Sequence, residues 1–359
     1  METEFRTVEG PVLRMVVVGS GAMGLEWMRA VLASDETELA GVVDTEVKRA
    51  RWSVIRTRAG EVPVAESLDA LLRTPQIGRV DGVVNVTPPD AHFPVTARAL
   101  GAGLPVLGEK PMAASLEEAE ELVVLARDAR QLFMVAQSRT YEPHLSSLRA
   151  HVRAIGPPAV IVVNFLRDEA FDGFRTEMAH PLLVDMMVHT VDAVRYLTGK
   201  QATHVYCEEY GPSWSRYSSG GSATCVFEMD GGGRFVYNGS WSAPGDMTSW
   251  DGEWRVSGAH GSALWDGEGP PVRLSPSAPE HVVLPEPSRS GDGIRGVLAD
   301  FIRALRTGRT PWGECSNNLG TLAMVHAAID SARTGRRVRV PNPPGLSSVV
   351  PDPRRGEHI

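Results

Sequence analysis

The segment from Arg14 to Ala33 constrains this chain more than any other. A short apolar run, Arg14 to Val18, leads into Gly19-Ser20-Gly21-Ala22-Met23-Gly24, and an amphipathic run from Leu25 to Ala33 follows. The first run reads as a buried strand and the last as a helix. A strand that ends in G-x-G-x-x-G and opens a helix provides a tight turn, a close backbone approach to a pyrophosphate and close helix–strand packing. Alone the pattern is weak. Asp44 strengthens it, closing a second strand (Leu39 to Val43) about 20 residues beyond the last glycine. An acid there accepts hydrogen bonds from ribose hydroxyls and repels a 2′-phosphate, which favours NAD over NADP. Lys48 and Arg49 stand close enough to keep that preference moderate, so NADP stays open.

The alternation continues. Val47 to Arg58 reads as a helix, Ser67 caps a short one running to Arg73, and Asp81 to Val86 is another strand. Ala91 to Leu100 is a helix ended by Gly101, Val106 to Gly108 a strand, and Ser115 with Glu118 a capping box for the helix to Arg130. Leu132 to Ala136 closes the series. Repeated βα units require right-handed crossovers and a covered parallel sheet, so residues 12–137 are expected to form an α/β, doubly wound domain.

The rhythm then changes. Leu145 to Ile155 and Leu182 to Leu197 read as helices, and Ala159 to Leu166 as a strand. Further strand-like runs follow at His204 to Glu208, Ala223 to Met229, Arg234 to Trp241, Glu253 to Ser257 and Ser262 to Trp265. Asp230-Gly231-Gly232-Gly233 is a hairpin signal between two of them. With helices at Ile294 to Leu305 and Leu319 to Arg333, residues 138–341 form an expected α+β domain, and the Pro-rich stretch 342–359 reads as a mobile tail. Two domains suit a chain of 359 residues.

Composition removes several classes. No apolar run approaches the ~18 residues of a membrane span, and the N-terminus lacks the pattern of a signal peptide, so a cytoplasmic location is expected. Cys207, Cys225 and Cys315 are scattered thiols without C-x-x-C spacing, and they read as buried structural residues. A net charge of -8 with no basic block argues against nucleic acid and anionic membranes.

Of 36 cationic residues, three are lysine (Lys48, Lys110, Lys200) and 33 arginine. Lysine in this chain is therefore informative. Lys110 stands in Glu109-Lys110-Pro111, at the carboxyl end of a strand, the edge where open parallel sheets bind ligands. An ammonium can release its proton when desolvated, and a guanidinium cannot. Asn85-Val86-Thr87-Pro88-Pro89-Asp90-Ala91-His92 leaves the same edge. It serves equally as turn chemistry, with Asp90 as a cap, or as a cofactor contact.

In the second domain, about 100° per residue puts Asp185, His189, Asp192 and Tyr196 within a stripe roughly 60° wide on an otherwise apolar helix. Such a stripe must face partners or a wet pocket. A structural network, with Asp185 pairing His189 at i, i+4, is one account. A metal site that adds His180 lacks a supporting signature, and no metal is expected.

Together these motifs resemble the Gfo/Idh/MocA family, which includes glucose–fructose oxidoreductase and inositol dehydrogenase. The matching residues are Gly19 to Gly24, Thr87-Pro88-Pro89 with His92, Glu109-Lys110-Pro111, Asp185-x-x-x-His189-x-x-Asp192 and the helix from Leu319 to Ala332. The likeness spans residues 12 to about 341. It implies an N-terminal Rossmann domain and a C-terminal domain with a large, open, mostly antiparallel sheet. It also implies Lys110 and His189 facing a sugar or polyol beside the nicotinamide. The cofactor contacts would be Gly19, Gly21, Ala22, Met23, Gly24, Asp44, Thr87, Pro88, His92, Glu109 and Lys110. Many members carry a Gly-rich run before the Asp185 position, where this chain reads Ala179-His180-Pro181.

The expectation is an NAD(P)-dependent dehydrogenase acting on a CH–OH group of a sugar, polyol or cyclitol. His189 would be the general base, Lys110 the partner of the reacting oxygen or itself the acid/base, and Asp185 the group that orients substrate or imidazole. A catalytically silent NAD-binding regulator and an NAD-assisted hydrolase or lyase compete with it. Tryptophans and phenylalanines concentrated in the second domain suggest sheet core or a subunit interface, and hence a homodimer or homotetramer.

Overall fold

A computed structural model describes residues 5–169, 171, 178–217, 220–276, 278–283, 293–344 and 346. They fall into two compact units. The described parts of Met1–Ser138, Ser290–Leu319 and Pro344–Ile359 form one, and those of Arg139–Arg289 with Gly320–Pro343 form the other. The tail from 342 lies almost wholly outside the described residues.

In the first unit β1 (Leu13–Val18), β2 (Thr37–Val43), β3 (Val64–Ala65), β4 (Gly82–Asn85), β5 (Val106–Gly108) and β6 (Phe133–Val135) form one sheet in the order β3-β2-β1-β4-β5-β6. Every pair is parallel. Residues pointing both ways from β4, β5 and β6 are buried, so both faces are covered. The connecting helices are α1 (Ala22–Ala33), α2 (Val47–Thr57), α3 (Leu68–Leu72), α4 (Pro89–Gly101) and α5 (Leu116–Ala129). Ser67 Oγ accepts the Ala70 N–H at the start of α3, and Ser115 Oγ accepts the Glu118 N–H at the start of α5. The Glu118 carboxylate reaches back one residue further than a capping box requires, to the Ala114 N–H. Helix α8 (Gly293–Thr307) comes late in the sequence but belongs to this unit. Its Phe301 is fully buried, and a β-carbon at Gly82 would meet both Met15 (2.9 Å) and Phe301 (3.5 Å). The tight neighbour is the Met15 side chain of β1, while Phe301 of the late helix would be in ordinary contact.

The second unit is built on nine strands in the order β14-β13-β12-β11-β7-β10-β9-β8-β15. They are β7 (Pro158–Leu166), β8 (Ala202–Tyr210), β9 (Ser222–Met229), β10 (Arg234–Ser240), β11 (Glu253–Gly258), β12 (Gly261–Trp265), β13 (Val272–Ser275), β14 (Ala278–Val283) and β15 (Val338–Arg339). Among the described residues only β7 and β10 pair in parallel; the other pairs are antiparallel. β9 and β10 form the hairpin that the glycine run marks, with Met229 N–H donating to the Gly233 carbonyl. The helices are α6 (Pro143–Ala154), α7 (Val188–Thr198) and α9 (Cys315–Thr334), the last belonging here from Gly320 on.

Period-2 alternation divides the sheet. Ile161, Val163, Phe165, Val205, Cys207, Cys225, Phe227, Phe235 and Tyr237 are buried on one face. The opposite face carries a row in register, Tyr206↔Val226, Val226↔Val236 and Val236↔Val162, with Tyr206 and Val160 exposed. Trp241, Trp254 and Trp265 are buried, whereas Trp214 and Trp250 are exposed, so the tryptophans serve core and surface. The three thiols are buried, and the Sγ atoms of Cys207 and Cys225 lie 3.2 Å apart across β8 and β9.

Helix α7 departs from the sequence reading in one respect. The expected single helix is α-helical at Pro181 and Leu182, is then widened by a π-type turn, Leu183–Met187, and resumes α-geometry at Val188. The wider turn rotates Asp185 away from the position that 100° per residue assigns it.

Candidate active site

In the first unit the glycine loop follows β1 where the strand order reverses between β1 and β4. Gly19 has φ +101°, and its Cβ would collide with the Val86 carbonyl, so only glycine fits that turn. A β-carbon at Gly24 would strike the Gly19 carbonyl, which is the close packing the motif provides. Gly21 is different: nothing lies within 4 Å of where its β-carbon would be. It precedes the first turn of α1, which has no side-chain cap and no acidic residue. An open backbone cradle at an uncapped helix N-terminus fits a pyrophosphate.

Asp44 is buried and already well supplied. Its carboxylate accepts from Ser20 N–H (2.9 Å), Ser20 Oγ (2.6 Å), Glu46 N–H (2.9 Å), and Arg49 Nε (3.1 Å) and NH2 (2.7 Å). Burial pushes its pKa up, but the bonds from Arg49, Ser20 and Glu46 outweigh burial and hold it below the ordinary carboxylate value. Ribose hydroxyls would therefore compete with the half-exposed Arg49 for this acid.

The loop after β4 is braced internally. Thr87 Oγ1 donates to Asn85 Oδ1 (2.7 Å), and Asn85 Nδ2 donates to the His92 carbonyl and to Thr96 Oγ1. α4 opens at Pro89 behind Pro88, so Asp90 lies in its first turn instead of capping it as the sequence suggested. His92 is buried, with Nδ1 2.6 Å from the Pro111 carbonyl and Nε2 2.8 Å from the Thr87 carbonyl. The ring thus ties the loop after β4 to the loop after β5, and burial depresses its pKa despite both contacts. In the second of those loops Glu109 accepts from Trp27 Nε1 (2.7 Å) and from the Lys110 N–H (3.1 Å). Lys110 is half-buried, and its bond to Pro111 is cis.

In the second unit the ionisable stripe divides into two parts. Asp192 accepts from Thr321 Oγ1 (2.8 Å) on α9, and Arg195 donates to Thr321 (2.9 Å) and Gln201 (2.7 Å). The Tyr196 hydroxyl lies 3.4 Å from Ser146 Oγ, and the Arg149 guanidinium lies 4.3 Å from its ring centroid. Asp192 and Tyr196 therefore fasten α7 to α9 and α6. Asp185 and His189 remain, 7% and 9% exposed respectively.

Sequence reasoning missed Arg139. Its Nε lies 3.4 Å from Asp251, and the charges of Tyr237, Asp185 and Glu142 act on it as well. Burial depresses the Arg139 pKa and raises that of Asp251, each opposed by the other's charge. Beside this group Phe165, Trp241 and Trp250 pack with ring centroids 5.1–6.3 Å apart, and Arg167 lies 4.3 Å over Trp250. Among the described residues no group of three or more His, Cys, Asp or Glu has the geometry of a metal site.

Comparison with known proteins decides the family. Residues 13–137 match the model described as oxidoreductase family, NAD-binding Rossmann fold, and residues 148–264 match the GFO/IDH/MocA C-terminal domain. The chain belongs to the Gfo/Idh/MocA family. Among its relatives, the rhizopine catabolism protein MocA of Rhizobium meliloti is 26% identical, over 88% of this chain and 94% of that protein. An inositol 2-dehydrogenase of Pseudarthrobacter chlorophenolicus is 30% identical, over 54% of this chain and 56% of its own. An oxidoreductase from Agrobacterium radiobacter, solved with NAD+, L-tartaric acid and magnesium, shares the fold. Its TM-score is 0.79 at 20% identity, covering 91% of this chain and 98% of that one. The first unit thus contains the family's NAD-binding Rossmann fold, and the chain is an NAD-dependent oxidoreductase of this family. Among the described residues no helix is long and apolar enough to cross a membrane.

Proposed function

We propose that this protein is a dehydrogenase that oxidises a secondary alcohol of a sugar, polyol or cyclitol. One observation carries the reading: a family NAD-binding fold keeps a lysine at the ligand edge of its sheet, and the second unit keeps Asp185 and His189 on a buried helix. A regulator that only sensed NAD would need no such proton-transfer groups. MocA and the inositol 2-dehydrogenase among the relatives support cyclitols and their derivatives as the first substrates to try.

NAD, when bound, supplies the hydride acceptor. The open backbone at Gly21 with the start of α1 would hold its pyrophosphate, and Asp44 its ribose. Lys110 would donate a hydrogen bond to the substrate oxygen and stabilise alkoxide character as the C–H bond breaks. His189 would take the hydroxyl proton, since imidazole titrates near neutral pH. Asp185 would orient substrate or imidazole. The apolar row on the second sheet supports a homodimer or homotetramer, because a sheet face rich in valine and tyrosine gains by pairing.

A panel of inositols, sugars and polyols with NAD or NADP, followed by nucleotide absorbance, tests the reading. Stoichiometric NADH formation with at least one alcohol is the expected result. Turnover without net NADH would point to a hydrolase or lyase, and NAD binding without turnover across the panel to a regulator.

A further inference from the structure

The sequence departs from many family members at Ala179-His180-Pro181, and the structure shows a particular geometry there. His180 has φ +56°, in the left-handed region that glycine enters freely and a residue with a β-carbon enters at a cost. Its imidazole Nδ1 lies 2.5 Å from Oε2 of Glu209, near the end of β8. The Glu209 side chain is 9% exposed, and its second oxygen, Oε1, is buried with no hydrogen-bond partner among the described residues. Room for that carboxylate comes from Gly220, where a β-carbon would collide with it. A buried carboxylate with this one partner depends on the partner's charge.

The backbone of His180 is tied to the helix that follows. Its carbonyl accepts the Val184 N–H at 3.0 Å, and the π-type turn Leu183–Met187 begins three residues after it, with Asp185 at its centre and His189 just beyond. π-turns are rare and occur mostly as single turns inserted into α-helices, so what fixes their position must come from their surroundings.

We propose that the His180–Glu209 pair is a clasp that fixes the entry of this turn and thereby positions Asp185 and His189. His180 is then a positioning residue that touches no substrate. The inference rests on the reading that Asp185 and His189 act on the substrate.

The charged groups that act on the ring are Glu209 from β8 and Arg333 from α9. The Glu209 hydrogen bond favours the imidazolium and prevails over burial and Arg333, holding the His180 pKa above its ordinary value. A raised histidine pKa means the clasp is charged and closed at lower pH and loosens as pH rises through that value. Activity should therefore carry an alkaline limb that belongs to His180.

Three variants test this in the full chain: His180→Gly, which suits the backbone and removes the ring; His180→Asn, which tolerates φ > 0 and can donate to Glu209; and Glu209→Gln. Two readouts are needed, amide hydrogen exchange over Val184 to His189 and the pH profile of kcat, with NAD affinity as a control. His180→Gly and Glu209→Gln should raise exchange there by about tenfold or more. They should also lower kcat, abolish the alkaline limb and leave NAD affinity unchanged. His180→Asn should restore most of the protection without the limb. If His180→Gly exchanges and titrates like wild type, the clasp is refuted. If exchange rises while kcat and its pH profile stay put, the clasp stands and the roles given to Asp185 and His189 fail.

Discussion

The His92 ring lies between two backbone carbonyls, 2.6 Å from that of Pro111 and 2.8 Å from that of Thr87. A neutral imidazole carries one N–H, so it can donate to only one of them. Burial nevertheless depresses the pKa from the ordinary 6.5. A depressed value means that stability is present above 6.5 and declines as pH falls through the folded value. Wild-type protein should become easier to unfold with urea below that pH, and His92→Ala should flatten this dependence. The same variant should cost about 1–3 kcal/mol near neutral pH, the scale of orphaning a buried hydrogen-bonding group. Unchanged urea midpoints at every pH would show that the ring holds nothing together.

Cofactor choice should turn on Asp44 and Arg49 together. Asp44→Ala should weaken NAD binding and narrow the gap to NADP, by losing the ribose bonds and the repulsion of a 2′-phosphate. Arg49→Ala should widen the gap, because it removes the cation that satisfies Asp44 and could meet a 2′-phosphate. Titration calorimetry with both nucleotides checks this. A wild-type preference for NADP of tenfold or more would overturn the assignment.

Lys110 and His189 should act on the chemical step. Lys110→Ala and Lys110→Arg should each lower kcat by about 10²-fold or more, since arginine keeps the charge but cannot match the geometry of the lysine hydrogen bond to the reacting oxygen. His189→Ala should cost a similar factor and alter the pH dependence of kcat/KM, with NAD affinity nearly unchanged. Near-full activity in Lys110→Arg would mean that only its charge matters.

The row Tyr206, Val226, Val236 and Val162 should be an assembly surface. Light scattering at micromolar concentration should give a dimer or tetramer, and Val236→Glu at the centre of the row should dissociate it. A wild-type monomer would rule the surface out.

The doubly wound half was legible because its signals are local. Periodicity, glycine spacing and the caps Ser67 and Ser115 are all written within a few residues of where they act. Lys110 stood out because lysine is scarce here, and the same bias hid Arg139, one arginine among 33. The π-type turn at Asp185 leaves no mark in the apolar pattern, which assumes a fixed rotation per residue. Strand β15 went unread because it is two residues long and its partner, β8, is distant in sequence. His180 was visible only as a departure from a glycine-rich run; its left-handed backbone and its partner on β8 are tertiary facts.

Helix α8 has a consequence for how the protein is made. The six strands of the Rossmann sheet are complete by Val135, yet Phe301, which comes up to Gly82 of β4, is translated only after β7 to β14 of the second sheet. Domains tend to fold as they leave the ribosome, N-terminal first. Here the nascent NAD-binding half waits with an apolar surface uncovered until α8 arrives. During that interval the chain would be most exposed to aggregation, and a chaperone would find its clearest target.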